Sequence, residues 1–278
     1  SVSWLLLSVF LSLWGWMVIA RRSFTIQPTA RVISVSNSHT QCGITPESWP
    51  EYQNFSASGS LPWSWSIMLK YILKCNPRNN VKTIIMDCDY SPRWISPDKD
   101  SELFRRYFPL SITYTEAFPN KDAVLYESIL AFVKLPEEFG KGDAFHYVDD
   151  PPPDLPCETI WKKSQMESIR MQISKHYYPG LELLKDRSEF KRLSKLCESA
   201  GIELVFISTP LHRLYRGAIP DFAKKHHQKL VEFLTQECQC VYYDFSGFDL
   251  EDEDFQDPSH LSVSGRRKFT EFLSRSFP

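Results

Sequence analysis

Ile202–Ser208 (IELVFIS) is apolar almost throughout and directly follows Gly201, which stops the amphipathic stretch Leu181–Ala200. A strand with no polar face has to be covered on both sides, which only a sheet between two layers of helices provides. Other segments fit that frame. Arg31–Ser36 (RVISVS), Glu51–Ser56, Val81–Asp87 (VKTIIMD) and Cys240–Asp244 (CVYYD) read as further strands, and Trp65–Leu73, Asp221–Thr235 and Ser264–Ser274 read as helices between or after them. Strands alternating with helices predict an α/β fold, a three-layer parallel sheet of about five strands with helices on both faces. No internal repeat is visible.

The middle of the chain interrupts this rhythm. Ser91–Pro119 and Phe139–Pro156 are rich in Pro, Asp and aromatic residues and read as loop, with helical patterns at Ala123–Val133 and Ser164–His176 between and after them. Residues 91–178 are therefore expected to form an insertion between sheet strands, as a lid or a partner surface, within one domain spanning 23–278.

The N-terminus behaves differently. Trp4–Ala20 carries no charge and is followed at once by Arg21 and Arg22. Membrane-spanning helices need about 17–25 apolar residues, so residues 1–22 read as a transmembrane anchor or an uncleaved signal, with 4–20 in the membrane. Arg21 and Arg22 alone would place the following domain in the cytoplasm. The chemistry below favours an extracytoplasmic one, periplasmic or at the cell surface.

Charge is nearly balanced, 32 basic against 34 acidic side chains, and no basic stripe is present. That argues against nucleic acid as a partner. The seven cysteines are dispersed and odd in number, and Cys238-Gln-Cys240 matches neither a zinc knuckle nor a redox pair. Most read as buried thiols.

In parallel α/β sheets, sites form beyond the carboxyl ends of the strands. Ser38 follows the first strand, Gly59 the second, Asp87 and Asp89 end the third, Ser208–Arg213 follow the fourth, and Asp257 and His260 lie in the loop after the fifth. In Asp257-Pro258-Ser259-His260 the carboxylate can reach one imidazole nitrogen and leave the other to take a proton from a serine hydroxyl. The bland alternative is an aspartate capping its own turn and a surface histidine. His39, Asp89, Arg93, His212 and Arg213 lie at the same edge and are candidates for substrate contact; the bland reading of His39 is a polar residue at a turn, and that of His212-Arg213 is simple solvation. His226-His227, in a Lys-rich helix, and the acidic run Glu251-Asp252-Glu253-Asp254 read as solvated.

At Val35-Ser36-Asn37-Ser38-His39 and Asp257-Pro258-Ser259-His260-Leu261 the chain resembles the SGNH (GDSL-like) hydrolase superfamily. Within it the chain looks similar to the membrane-tethered branch that includes D-alanine transfer proteins and alginate or peptidoglycan O-acetyltransferases. The resemblance implies a flavodoxin-like sheet, ester or acyl chemistry, no metal and no cofactor. It also implies Ser38, Asp257 and His260 as catalytic residues, with the N–H groups of Ser38 and Gly59 binding the oxyanion. A membrane-embedded acyl-donor partner protein fits the transferase form. The chain departs from the pattern in Ser36-Asn37, where Gly-Asp is usual, and in lacking the GxND block after the third strand. A lost oxyanion donor can cost about 100- to 1,000-fold in rate, and Arg93 or Arg213 are candidate substitutes.

Three functions compete on these residues. The first is a serine esterase or O-acyltransferase acting on acyl esters of a cell-envelope polysaccharide. The second is a catalytically degenerate relative that binds a glycan or an envelope protein. The third, a cytoplasmic nucleotide binder, lacks a glycine-rich phosphate loop.

Overall fold

The computed structural model describes residues 25–56, 60, 62–90, 165–177 and 187–277. Its main sheet contains β1 (Val32–Ser34), β2 (Tyr52–Asn54), β3 (Thr83–Asp87), β4 (Glu203–Ser208) and β5 (Val241–Asp244). They lie in the order β2-β1-β3-β4-β5, and every neighbouring pair is parallel. All five fall within the segments expected to be strands. This is the flavodoxin-like order, which reverses direction between β1 and β3 and opens a crevice beyond their carboxyl ends.

The helices are α1 (Ser38–Gly43), α2 (Pro62–Cys75), α3 (Gln165–His176), α4 (Ser188–Ala200), α5 (Arg213–Ala218), α6 (Asp221–Gln236) and α7 (Val263–Ser276). Strand alternation sends side chains to two separate cores. Ile33, Ile84, Met86, Leu204 and Phe206 meet Leu69 and Ile72 of α2, Phe190 and Leu193 of α4, and Leu230 and Leu234 of α6. On the other face, Val32, Ile85, Val205 and Ile207 meet Phe269 and Leu273 of α7. Phe269 is fully buried, and burial of one such side chain stabilises by about 1.5–3 kcal/mol. A smaller cluster joins Ile169 of α3 to Leu211, Tyr215 and Ile219 around α5.

Local signals set the ends. Pro62 opens α2, a position where its missing N–H costs nothing. Gly201 closes α4 in the left-handed conformation (φ 66°), and its N–H and that of Ile202 take up the last carbonyls. The last helix begins one residue earlier than the pattern suggested, with Ser262 as its cap. Of the expected helix Leu181–Ala200, the described part begins at Arg187.

Two readings need correction. Asp257 and His260 do not sit on an irregular loop. They face each other across the antiparallel pair β6 (Phe255–Asp257) and β7 (His260–Leu261). The acidic run is not simply solvated either: Asp254 is buried, with its carboxylate 2.7 Å from both Ser264 Oγ and Lys268 Nζ. Later helical residues therefore compensate a charge that a local reading assigns to water.

Trp4–Ala20 with Arg21 and Arg22, the helix Ala123–Val133 and most of the 91–178 insertion lie outside the described residues. Among the described residues no helix is long and apolar enough to cross a membrane.

Candidate active site

Ser38 is the first residue of α1, directly beyond β1. Asn37 caps the helix: its Oδ1 accepts from His39 N at 3.0 Å, and its Nδ2 donates to Asp87 Oδ2 at 3.1 Å. Ser36 Oγ accepts from Asp87 N at 2.8 Å. The two residues that differ from the usual Gly-Asp thus bolt the serine's turn to the end of β3. Their signal in the sequence was the helix-capping preference of Asn.

His260 Nε2 lies 2.9 Å from Ser38 Oγ, and His260 Nδ1 lies 2.8 Å from Asp257 Oδ2. Asp257 Oδ1 accepts from Ser259 N at 2.8 Å and His260 N at 3.0 Å, so its own turn organises it. Burial would push its carboxyl up, but hydrogen bonds from His260, Ser259 and Gln172 outweigh it and hold the group well below the usual carboxylate range. An ionised Asp257 only accepts, so His260 Nδ1 is the donor to it, and in the neutral ring Nε2 is the nitrogen that can accept from Ser38. Ser38 and His260 are half-buried, open enough for a substrate to approach.

Gln172 was not foreseen. It comes from α3, at the end of the expected insertion, and joins both Asp257 and its turn: Ser259 Oγ donates to Gln172 Oε1 at 3.0 Å. No pattern around Gln172 marks it, because the contact depends on how a distant segment folds back.

The remaining candidates separate into groups. His39 is buried beside the third-strand carboxylates, its Nδ1 3.1 Å from Asp89 Oδ2 and 3.6 Å from Asp87 Oδ2, and its ring is 5.0 Å from that of His260. It is a helical residue in a charged cluster, not a polar residue on a turn. Burial works against a charged His39 ring, but Asp87 and Asp89 outweigh it and push its pKa up to about 10. Asp87 is itself pushed up, by burial first.

His212 is buried, with Nε2 3.0 Å from Asp252 Oδ1 and Nδ1 accepting from Leu214 N at 3.3 Å. Both ring nitrogens are engaged, which ties this candidate for substrate contact into the fold. Arg213 is exposed and pairs with the same Asp252 at 3.4 Å. Gly59 and Arg93 lie outside the described residues.

His227 corrects another expectation. It is buried under the site, 3.0 Å from Cys88 O and 3.2 Å from Ser208 Oγ, with Tyr90 stacked on it at 4.1 Å. Burial lowers its pKa. Cys42, one helical turn after Ser38, has its thiol pushed up to about 11 by burial and is no competing nucleophile. Cys42, Cys88, Cys197, Cys238 and Cys240 are all buried free thiols, as the dispersed pattern suggested.

The chain matches no protein-family profile and no curated protein. Among solved structures it is similar to a GDSL-like lipase from Bacteroides thetaiotaomicron VPI-5482, at 8% identity over 90% of this chain and 88% of that one, with a TM-score of 0.42. It is also similar to a candidate platelet activating factor from Streptococcus pneumonia, at 12% identity over 99% and 97%, with a TM-score of 0.41. At this level of identity and superposition, neither neighbour transfers a role to any residue here.

Proposed function

We propose that this chain is a serine-dependent esterase or O-acyltransferase. The observation that carries the reading is the continuous relay from Ser38 Oγ through His260 to Asp257, with links of 2.9 and 2.8 Å. In it His260 takes the Ser38 proton as the oxygen attacks an acyl carbonyl, and Asp257 stabilises the imidazolium that forms. The leaving alcohol takes that proton back. Water or a sugar hydroxyl then releases the acyl group, giving hydrolysis or transfer. The N–H of Ser38 would hold the oxyanion, with that of Gly59 as the sequence resemblance implies.

The substrate class proposed is an acyl ester of a cell-envelope polysaccharide. It rests on the SGNH-like motifs at Ser38 and Asp257–His260, together with the uncharged run Trp4–Ala20, which would tether the domain outside the cytoplasm. A membrane-embedded protein would supply the acyl donor if the reaction is transfer.

One observation favours the degenerate binding module instead. Asp87 and Asp89 stand where the resemblance implies an oxyanion donor, and a carboxylate oxygen accepts hydrogen bonds instead of donating them. Release of p-nitrophenol from its acetate ester, compared between the chain and its Ser38→Ala variant, separates the two. Turnover that disappears in the variant supports the enzyme. Equal, background rates support the binding module.

A further inference from the structure

The end of β3 and the start of α1 place three metal-binding side chains together beside the proposed nucleophile. Asp87 and Asp89 are two residues apart where β3 leaves the sheet, while Cys88 between them packs into the core. His39 reaches them from α1. One ligand atom from each residue lies within 4.8 Å of the other two.

Two buried atoms of the cluster lack a hydrogen bond, although Asp87 Oδ2 accepts from Asn37 Nδ2. His39 Nδ1 and Asp87 Oδ1 are both buried and make no hydrogen bond of good geometry. His39 and Asp87 retain 8% and 2% exposure, so solvent does not complete either group. The pair His39 Nδ1–Asp89 Oδ2, at 3.1 Å, has hydrogen-bond length without its direction. Ligands at about 2.0–2.2 Å from one zinc ion are about 3.3 Å apart when tetrahedral. The separations of 3.1 and 3.6 Å bracket that value.

We infer that His39, Asp87 and Asp89 form a binding site for one divalent cation of the zinc, cobalt or manganese type. One imidazole nitrogen with two carboxylate oxygens is the mixed donor set such ions take, whereas calcium takes oxygens alone and Cu(I) takes sulfur. With the ion bound, its two positive charges balance the carboxylates of Asp87 and Asp89 in place of the imidazole proton. With three protein ligands, water fills the remaining positions. The site differs from the Ser38–His260–Asp257 relay in every residue, and it stands whether or not Ser38 is a nucleophile.

The test is equilibrium dialysis of the chelator-stripped full chain against Zn²⁺, with bound metal measured by mass spectrometry. Co²⁺ is added in parallel for its visible d–d absorption. One equivalent per chain at micromolar free Zn²⁺ is expected. Asp89→Asn, at a position 14% exposed, should weaken binding by about tenfold or more while circular dichroism stays unchanged. Ser38→Ala and His260→Gln should bind as the parent does. A folded chain that takes up no Zn²⁺ would overturn the inference and leave the charges to protons. Binding unchanged in Asp89→Asn, or lost in His260→Gln, would place the ion elsewhere and overturn it too.

Discussion

The backbone N–H of His212 donates to the carbonyl of Pro258 at 3.1 Å, tying the segment after β4 to the turn that carries Asp257 and His260. The His212 side chain adds a second tie through Asp252, in the 3₁₀ turn just before β6. The turn is therefore held from the sheet side as well as by its own carboxylate. His212→Ala removes the pair with Asp252 and the hydrogen bond to Leu214 N, and leaves a buried void. A loss of about 2–3 kcal/mol in urea unfolding is expected. A loss below about 0.5 kcal/mol would mean that the buried ring contributes little.

Asn37→Ala combines two losses. The helix cap is worth about 1 kcal/mol, and Asp87 Oδ2 loses its donor at 3.1 Å. Urea unfolding should show about 1–3 kcal/mol less stability. Esterase activity should fall as well, because the next residue is Ser38. Full activity with full stability would show that the cap does not hold the serine in place.

Gln172 acts through Asp257 and its turn, so it is a positioning residue. Gln172→Ala should lower kcat by about tenfold with little change in KM, since no ground-state contact with substrate is removed. Gln172→Glu keeps the shape but places a second negative charge beside Asp257, so it should not restore the rate. A change in KM alone would instead put Gln172 against the substrate.

Asp257 has its carboxyl held below the ordinary value near 3.9. A depressed folded value contributes stability that is fully present above the unfolded value and is lost as pH falls through the folded one. The stability difference between the parent and Asp257→Asn should therefore be flat above about pH 5 and shrink below about pH 4. A difference that grows on acidification would contradict this assignment.

Gly265 lies against the acidic turn, and a Cβ there would overlap the carbonyl of Asp254. Gly265→Ala should destabilise by about 1–3 kcal/mol in thermal unfolding, as overpacking does, even though alanine favours helices. A more stable variant would mean that the turn moves aside freely.

The sheet was readable because Val81–Asp87 and Ile202–Ser208 are apolar and β-branched over lengths that suit buried strands. Asp257 and His260 were readable for a local reason: a three-residue spacing lets one turn make the contact unaided. Tertiary partners were not readable. His212 looks like an exposed basic pair with Arg213 until Asp252 is brought to it. Asp254 reads as one of four solvated acids until α7 supplies Ser264 and Lys268. Gln172 and His227 gain their roles the same way, from segments far off in the sequence.

The most direct test of the central claim is intact-mass analysis of the chain after a fluorophosphonate, beside its Ser38→Ala and His260→Gln variants. The relay predicts one phosphonyl adduct on the parent, none on Ser38→Ala, and labelling slower by about a thousandfold or more on His260→Gln. A folded parent that takes up no adduct, or Ser38→Ala labelled as fast as the parent, would contradict an activated Ser38.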